Sequence, residues 1–195
     1  MVEICLHGRG GQGAVMASEV LVRAMVFEGN YGQSIPSYGF ERRGAPLQAF
    51  VKMDNKPIRE RVQVYEPDGV IVLDESLLSQ IPVFSGLKPG GFAVINVRKK
   101  LTLEQVPEEV EILATVDANR IALDIFRAPI TNTIMLGAFG AATGYVKLES
   151  LKESIATYFP ANIVEKNLKA VERGYHEVDV VKREYHQKRG EVFAQ

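Results

Sequence analysis

Apolar residues in this chain come in two rhythms: short continuous runs bounded by turn residues, and longer segments with apolar positions every three or four residues. Val2 to His7 is a run of the first kind and stops at Gly8-Arg9-Gly10-Gly11-Gln12-Gly13. Ala14 to Phe27 follows as the second kind. The order predicts a strand, a glycine turn and a helix. Small residues at Ala14, Ala17 and Ser18 would let that helix lie close on a sheet, and Glu28-Gly29-Asn30 is a suitable stop.

Tyr31 to Pro46 is rich in Gly, Ser and Pro and reads as a long surface loop, a feature that usually serves a site or a partner. Leu47 to Met53 alternates, and Asp54-Asn55-Lys56-Pro57 is expected to turn it into a second short strand, giving a β-hairpin. Val70 to Leu73 and Phe92 to Val97 are uninterrupted apolar runs, as parallel strands covered on both faces require. The turn Gly86 to Gly91 precedes the second of them.

Val110 to Ala114 predicts another strand, with Asp117 as N-cap of a helix through Phe126. Beyond it the pattern is helical. Leu148, Leu151, Ile155 and Phe159 share one face before Pro160; Ile163, Val164, Leu168 and Val171 share another before Gly174. Lys182 to Gln195 is polar and reads as a solvated or partner-docked helix. No repeat and no low-complexity linker is present. The expected architecture is one α/β domain over 1–195: Rossmann-like, three-layered, with a mostly parallel sheet, a β-hairpin insertion and a helical C-terminal part.

Composition narrows the chemistry. The 195 residues carry 23 Lys+Arg against 24 Asp+Glu, and one cysteine, Cys5. A disulfide framework is impossible, and an iron–sulfur cluster, which needs about four Cys ligands, cannot be housed here. A net charge of −1 argues against a nucleic-acid binder. Met1-Val2-Glu3-Ile4 lacks the basic and apolar regions of a secretory signal, so a cytoplasmic location is expected. Ala128 to Val146 is uncharged over about the length of a bilayer span, but its Pro, Asn, Thr and Gly content suits a helix buried in protein, with Gly140 and Gly144 as a close-packing pair. No membrane partner is expected.

Gly8-x-Gly10-x-x-Gly13 after a strand and before a helix has the spacing of a dinucleotide fingerprint. Glycines permit the turn and the close approach of a phosphate, while the helix N-terminus offers free N–H groups. Against NAD stands the missing acid: about 20 residues past the glycines a Rossmann site needs a carboxylate for the ribose, and this chain has Gly32-Gln33-Ser34-Ile35-Pro36. The glycines equally serve plain helix–strand packing. Arg9 is suited to a phosphate or to a carboxylate of another chain.

Other candidates are sparse. His7 ends the first strand, where it is an acid/base or simply a hydrogen-bonding residue. His176 and His186 lie in polar surroundings, and Cys5 reads as an inert core thiol. Asp74-Glu75 sits at the carboxyl end of a strand, the ligand edge of an open α/β sheet, or caps a helix. Arg42 and Arg43, bordered by Tyr38 and Phe40, suit a phosphate or carboxylate clamp, a subunit interface, or a solvated loop.

His7 to Gly13 (HGRGGQG), the alanine-rich helix after it and Pro36 to Pro46 (PSYGFERRGAP) together resemble the gamma subunit of 2-oxoacid:ferredoxin oxidoreductases, the pyruvate synthase group. Tyr65 to Asp68 (YEPD), Val116 to Asn119 (VDAN) and Thr131 to Ala138 (TNTIMLGA) resemble later blocks of the same family. The resemblance implies one component of an enzyme that oxidatively decarboxylates a 2-oxoacid, transfers the acyl group to coenzyme A and reduces ferredoxin. It implies alpha, beta and delta partner subunits that carry thiamine diphosphate with Mg2+ and the [4Fe-4S] clusters. This chain would then hold no catalytic residue and no metal. Gly8, Arg9, Gly10, Gly11, Gln12 and Gly13, with Arg42 and Arg43, are the carried-over contacts to coenzyme A or to an interface. The 2-oxoacid is expected to be pyruvate, with 2-oxoglutarate, 2-oxoisovalerate or indolepyruvate as alternatives. Two rivals stand outside this reading: a stand-alone NAD(P)-dependent oxidoreductase and a ligand-free scaffold.

Overall fold

The computed structural model describes residues 1–37, 43–59 and 62–183. Seven strands form one sheet in the order β2-β3-β1-β4-β5-β6-β7. They are β1 (Val2–Arg9), β2 (Tyr31–Pro36), β3 (Pro46–Asp54), β4 (Gly69–Val72), β5 (Gly91–Asn96), β6 (Val110–Val116) and β7 (Asp179–Lys182). The central four, β1, β4, β5 and β6, run parallel, and β2, β3 and β7 are antiparallel additions at the two sides. This is the Rossmann-like α/β class that the sequence predicts.

The continuous apolar runs become the central strands because each must bury both faces. Ile4, Leu6, Ile71, Val94 and Ala114 point into one core, and Cys5, Val70, Val72, Ala93 and Leu113 into the other. The first core is covered by α1 (Ala14–Phe27), α2 (Ala118–Phe126), α3 (Asn132–Thr143), α4 (Leu148–Tyr158) and α5 (Ala161–Glu177). The second is closed by loops and by short 3-10 turns at Glu75–Ser79 and Leu103–Gln105, so the third layer is thin. The Asp117 carboxylate accepts from the Arg120 N–H at 2.9 Å and caps α2 as expected.

Three local expectations change. Tyr31–Pro36 is a strand, not the start of a loop: Gly32 lies against Val22 of α1, and the Ser34 and Ser18 hydroxyls meet at 2.7 Å. An edge strand tolerates Pro36 because one side of its ladder is unused. The β3 hairpin partner is therefore upstream. With β1 on one side of β3 and β2 on the other, both of its ladders are occupied, and among the described residues no strand lies between Asp54 and Gly69. Lys182 closes β7, which pairs with β6, whereas residues 184–195 of the expected C-terminal helix lie outside the described residues.

Ala128 to Val146 contains α3, buried along nearly its whole length between the sheet and the other helices. Among the described residues no helix is long and apolar enough to cross a membrane. Of the expected close-packing pair only Gly140 packs closely, its would-be Cβ 3.1 Å from the Val146 carbonyl and 3.4 Å from Leu151 Cδ1 of α4. Gly144 has φ 68° and caps the helix, with open space where a Cβ would be. Gly137 of α3 also faces the Val171 carbonyl of α5, and Gly174 of α5 faces the Ile134 carbonyl of α3. Gly174 thus lies inside α5 and does not end it.

Candidate functional site

The glycine loop emerges at the carboxyl edge of the parallel strands, between β1 and α1. Gly13 has φ 80° and is the N-cap of α1; its backbone places a would-be Cβ 2.6 Å from Asn132 Nδ2. An L side chain there would meet both strain and the Asn132 amide. The first hydrogen bond of α1 runs from the Ala17 N–H to the Gly13 carbonyl at 2.9 Å. The cap makes no side-chain hydrogen bond and the first turn has no acidic residue. The helix start keeps its positive end available for an anion.

Antiparallel pairing of β1 with β3 carries on past the strands and joins two candidate segments. Gly10 N–H donates to the Ala45 carbonyl at 2.9 Å and Gly44 N–H to the Gly10 carbonyl at 3.0 Å. Arg43 lies exposed in this turn. Arg42, Tyr38 and Phe40 lie outside the described residues.

Arg9 is committed within its own chain. Its guanidinium donates to the Gly44 carbonyl at 3.0 Å, to Ser76 Oγ at 2.5 and 3.2 Å and to Gln80 Oε1 at 2.8 Å, with Asp74 Oδ2 3.3 Å away. Asp74, the residue after β4 that sequence reasoning left between a ligand role and a cap, is both a cap and a brace. Its Oδ1 accepts from the Ser76 N–H at 2.9 Å, and its Oδ2 from Gln12 Nε2 at 2.6 Å. Gln12 Oε1 in turn accepts from the Arg9 N–H at 2.8 Å. Burial alone would raise the Asp74 carboxyl, but the hydrogen bonds from Ser76 and Gln12 and the Arg9 charge outweigh it and hold the group below the usual carboxylate range. Arg9, Gln12 and Asp74 thus fix the loop, the Gly10 N–H is spent on Ala45, and the donors left at the loop among the described residues are the Gly11 and Gly13 N–H groups, with Arg43 exposed on the adjoining turn.

His7, just ahead of the loop, is buried. Burial pushes its imidazole down to about 4, against the opposing hydrogen bond to the Val83 backbone, so the ring is neutral near pH 7. Its Nδ1 lies 3.5 Å from Gln48 Nε2. Cys5 is buried in the second core, and burial pushes its thiol up to about 12. His176 is exposed, and His186 lies outside the described residues.

Asn132 and Asn167 are the residues that sequence reasoning passed over. They line a cleft of about 270 Å³ with Gly11, Gln12, Gly13, Met16 and the apolar residues Phe126, Pro129, Ile130, Phe159 and Ile163. One signal for Asn167 was present: it falls on the apolar stripe of α5, where a polar side chain needs a partner. The partners are Thr133 Oγ1, 3.1 Å from its Oδ1, and the Ile163 carbonyl, 3.0 Å from its Nδ2.

A nicotinamide cofactor does not suit this frame. In a Rossmann site the strand beside β1 is parallel and brings an acid to the ribose, whereas here β3 occupies that place in the antiparallel sense. Among the described residues no group of three or more His, Cys, Asp or Glu side chains could hold a metal ion.

Residues 3–177 match the family model described as pyruvate ferredoxin/flavodoxin oxidoreductase. The chain is 48% identical over 182 residues to the "Pyruvate/ketoisovalerate oxidoreductases common subunit gamma" of Pyrococcus furiosus, covering 92% of this chain and 98% of the relative. It is 47% identical over 181 residues to the "NADH-dependent phenylglyoxylate dehydrogenase subunit gamma" of Aromatoleum evansii, covering 92% and 95%. The crystal structure of pyruvate oxidoreductase subunit PORC from Thermotoga maritima superposes with a TM-score of 0.80 at 38% identity, covering 93% of this chain and 98% of that one. A glycine loop braced by Arg9 and Asp74, a sheet without a ribose site and relatives matched almost end to end agree: the chain belongs to the pyruvate ferredoxin/flavodoxin oxidoreductase family, as a gamma subunit.

Proposed function

We propose that this gamma subunit is a non-catalytic component of a cytoplasmic pyruvate:ferredoxin oxidoreductase, joined to alpha, beta and delta subunits, and that it contributes contacts to coenzyme A. The observation that carries the coenzyme A contact is the clasp between the glycine loop and the Arg43-Gly44-Ala45 turn. It ties the turn that carries the exposed Arg43 to the loop leading into a helix N-terminus that has no acidic residue in its first turn and no side-chain cap. Both are anion-binding elements, and a Cβ at Gly11 would meet nothing within 4 Å, so the loop is open to an approaching phosphate. The Gly11 and Gly13 N–H groups and Arg43, with Arg42 next to it in sequence, are the groups that would hold the coenzyme's phosphates.

Thiamine diphosphate, Mg2+ and the [4Fe-4S] clusters are assigned to the partner subunits, because one buried cysteine cannot ligate a cluster. The chemistry of decarboxylation and electron transfer to ferredoxin would be theirs. Relatives named for pyruvate/ketoisovalerate and for phenylglyoxylate are almost equally similar to this chain. That supports placing the choice of 2-oxoacid on the thiamine-bearing subunits and not on this one.

The test is a coenzyme A titration of the assembled complex carrying Arg42→Ala plus Arg43→Ala. Loss of a charge-assisted contact, worth about 1.5–3 kcal/mol, should raise KM for coenzyme A roughly tenfold or more with kcat retained. Unchanged KM with unchanged assembly would remove both residues from ligand and interface alike.

A further inference from the structure

The two ends of the sheet are finished differently. β7 closes one end with a charge at each terminus, Asp179 and Lys182, and Asp179 is paired with Lys100 at 2.6 Å. Charged residues on an outer strand discourage another chain from adding to it. β2 closes the other end and, as Tyr-Gly-Gln-Ser-Ile-Pro, carries no charge at all. Such an edge is a template for a further strand.

The register decides which backbone groups that edge offers. Ser37 N–H donates to the Gln48 carbonyl at 3.1 Å, so the odd-numbered residues of β2 turn their backbone toward β3. The even-numbered ones, Gly32, Ser34 and Pro36, turn theirs outward. Pro36 has no N–H, which leaves Gly32 and Ser34 as the outward donors, each with its own carbonyl. The odd side chains lie on the face of the second core: Ile35 packs against that core, whereas Tyr31 is 45% exposed. Between them stands Gln33, whose Oε1 is buried without a hydrogen-bond partner among the described residues. A buried acceptor left unmatched is an exception that calls for a partner.

A second copy of the same strand meets all of these needs together. With the two strands antiparallel about a two-fold axis at Gln33, Gly32 of each chain lies opposite Ser34 of the other, and each such pair exchanges both backbone hydrogen bonds. Both outward donors are then used, and Pro36 falls beyond the paired stretch. Gln33 meets the second copy's Gln33 in the closer kind of cross-strand pair, where each amide has a donor for the other's carbonyl oxygen. Tyr31 falls opposite the second copy's Ile35, an aromatic–aliphatic pair. We propose that two copies of this chain join edge to edge through β2, continuing the sheet across a two-fold axis at Gln33. Such a contact is self-complementary and closes on itself. It stands apart from the coenzyme A contact, since none of these residues belongs to the glycine loop or to the Arg43 turn.

Sedimentation velocity of the full chain over roughly 1–100 µM should show a reversible monomer–dimer equilibrium. Gln33→Glu sets two carboxylates against each other on the axis, yet in the single chain it places one opposite Lys52 of β3. It should therefore weaken dimerisation at least tenfold without lowering the melting temperature of the monomer. Gln33→Cys tests the register, since the native Cys5 is buried. In oxidised glutathione it should form a disulfide-linked dimer at least tenfold faster than Tyr31→Cys or Val181→Cys, because only at Gln33 do identical positions face each other.

A native chain that stays monomeric throughout that range would overturn the proposal. So would a dimer untouched by Gln33→Glu, or a Gln33→Cys disulfide that forms no faster than those of the other two variants. A monomeric chain whose Gln33→Glu variant loses its sister subunits would assign the β2 edge to one of them, and the second-copy reading would fall.

Discussion

Gln12 and Asp74, 62 positions apart, are joined by a 2.6 Å hydrogen bond from Nε2 to Oδ2, and this contact ties the glycine loop to the end of β4. Asp74→Ala removes the acceptor for Gln12, the cap of Ser76 and the countercharge of Arg9 together. The expected loss is about 1–3 kcal/mol, concentrated in the loop. Amide exchange at Gly10 and Gly44, whose N–H groups close the clasp, should accelerate at least tenfold, and unchanged exchange there would show that Asp74 does not brace the loop. Because the folded-state carboxyl is held below its ordinary value, this contribution is present above about pH 4 and fades as pH falls through the lower folded pKa.

The α3–α5 contact predicts a reversal of the usual helix rule. Gly→Ala in a helix interior ordinarily gains up to about 1 kcal/mol. At Gly137 or Gly174, however, the new methyl would overlap the Val171 or the Ile134 carbonyl of the facing helix. Overpacking costs roughly 1–3 kcal/mol, so each substitution should lower the melting temperature by several degrees. Gly144→Ala tests the other glycine: it meets no neighbour, and its cost should be only that of a left-handed backbone at φ 68°.

Elements whose burial is dictated by the chain itself were legible before the structure. β1, α1, β4, β5, β6 and the cap at Asp117 could be read because an apolar run or an i, i+3, i+4 stripe has one way to be buried. β2 and β7 were not legible for the complementary reason. Tyr31–Pro36 has weak strand formers and is held by Val22, Ser18 and β3, contacts that exist only once α1 is docked. Asp179–Lys182 is four residues long and is recruited by β6. Of the site, the glycine loop could be seen in the spacing, but not the partners of Arg9. Those lie 35 to 71 positions away, so a residue that looked available for a phosphate is instead spent on Gly44, Ser76 and Gln80. Asn132 was visible only as part of a family block, because its place against Gly13 and Met16 arises from how α1 and α3 meet.

Cys5 should be chemically silent in the native protein. Burial in the second core pushes its thiol up to about 12, leaving almost no thiolate at neutral pH and no path for a reagent. Reaction with a maleimide at pH 7.5 should be at least a hundredfold slower in buffer than in 6 M guanidinium. Comparable rates would mean that β1 opens easily.

His7 predicts how the fold responds to mild acid. Its imidazole is pushed down to about 4 by burial, whereas in the unfolded chain it titrates near the ordinary value of about 6.5. Above pH 6.5 both states are neutral and the residue adds no pH dependence. Between about pH 6.5 and 4 the unfolded chain takes up a proton that the folded one refuses, so stability falls with decreasing pH by up to about 1.4 kcal/mol per unit. Below about pH 4 both states are protonated and the slope from this residue ends; any further loss comes from carboxylates held low, such as Asp74 and Glu177. His7→Gln keeps a polar side chain near Gln48 but cannot titrate. Denaturant unfolding at half-unit pH steps should therefore show a slope between pH 6.5 and 4 in the native chain that is lost in His7→Gln. If the two slopes coincide, His7 is protonated in the folded state and is open to solvent or to a partner charge, in conflict with its burial beside Val83.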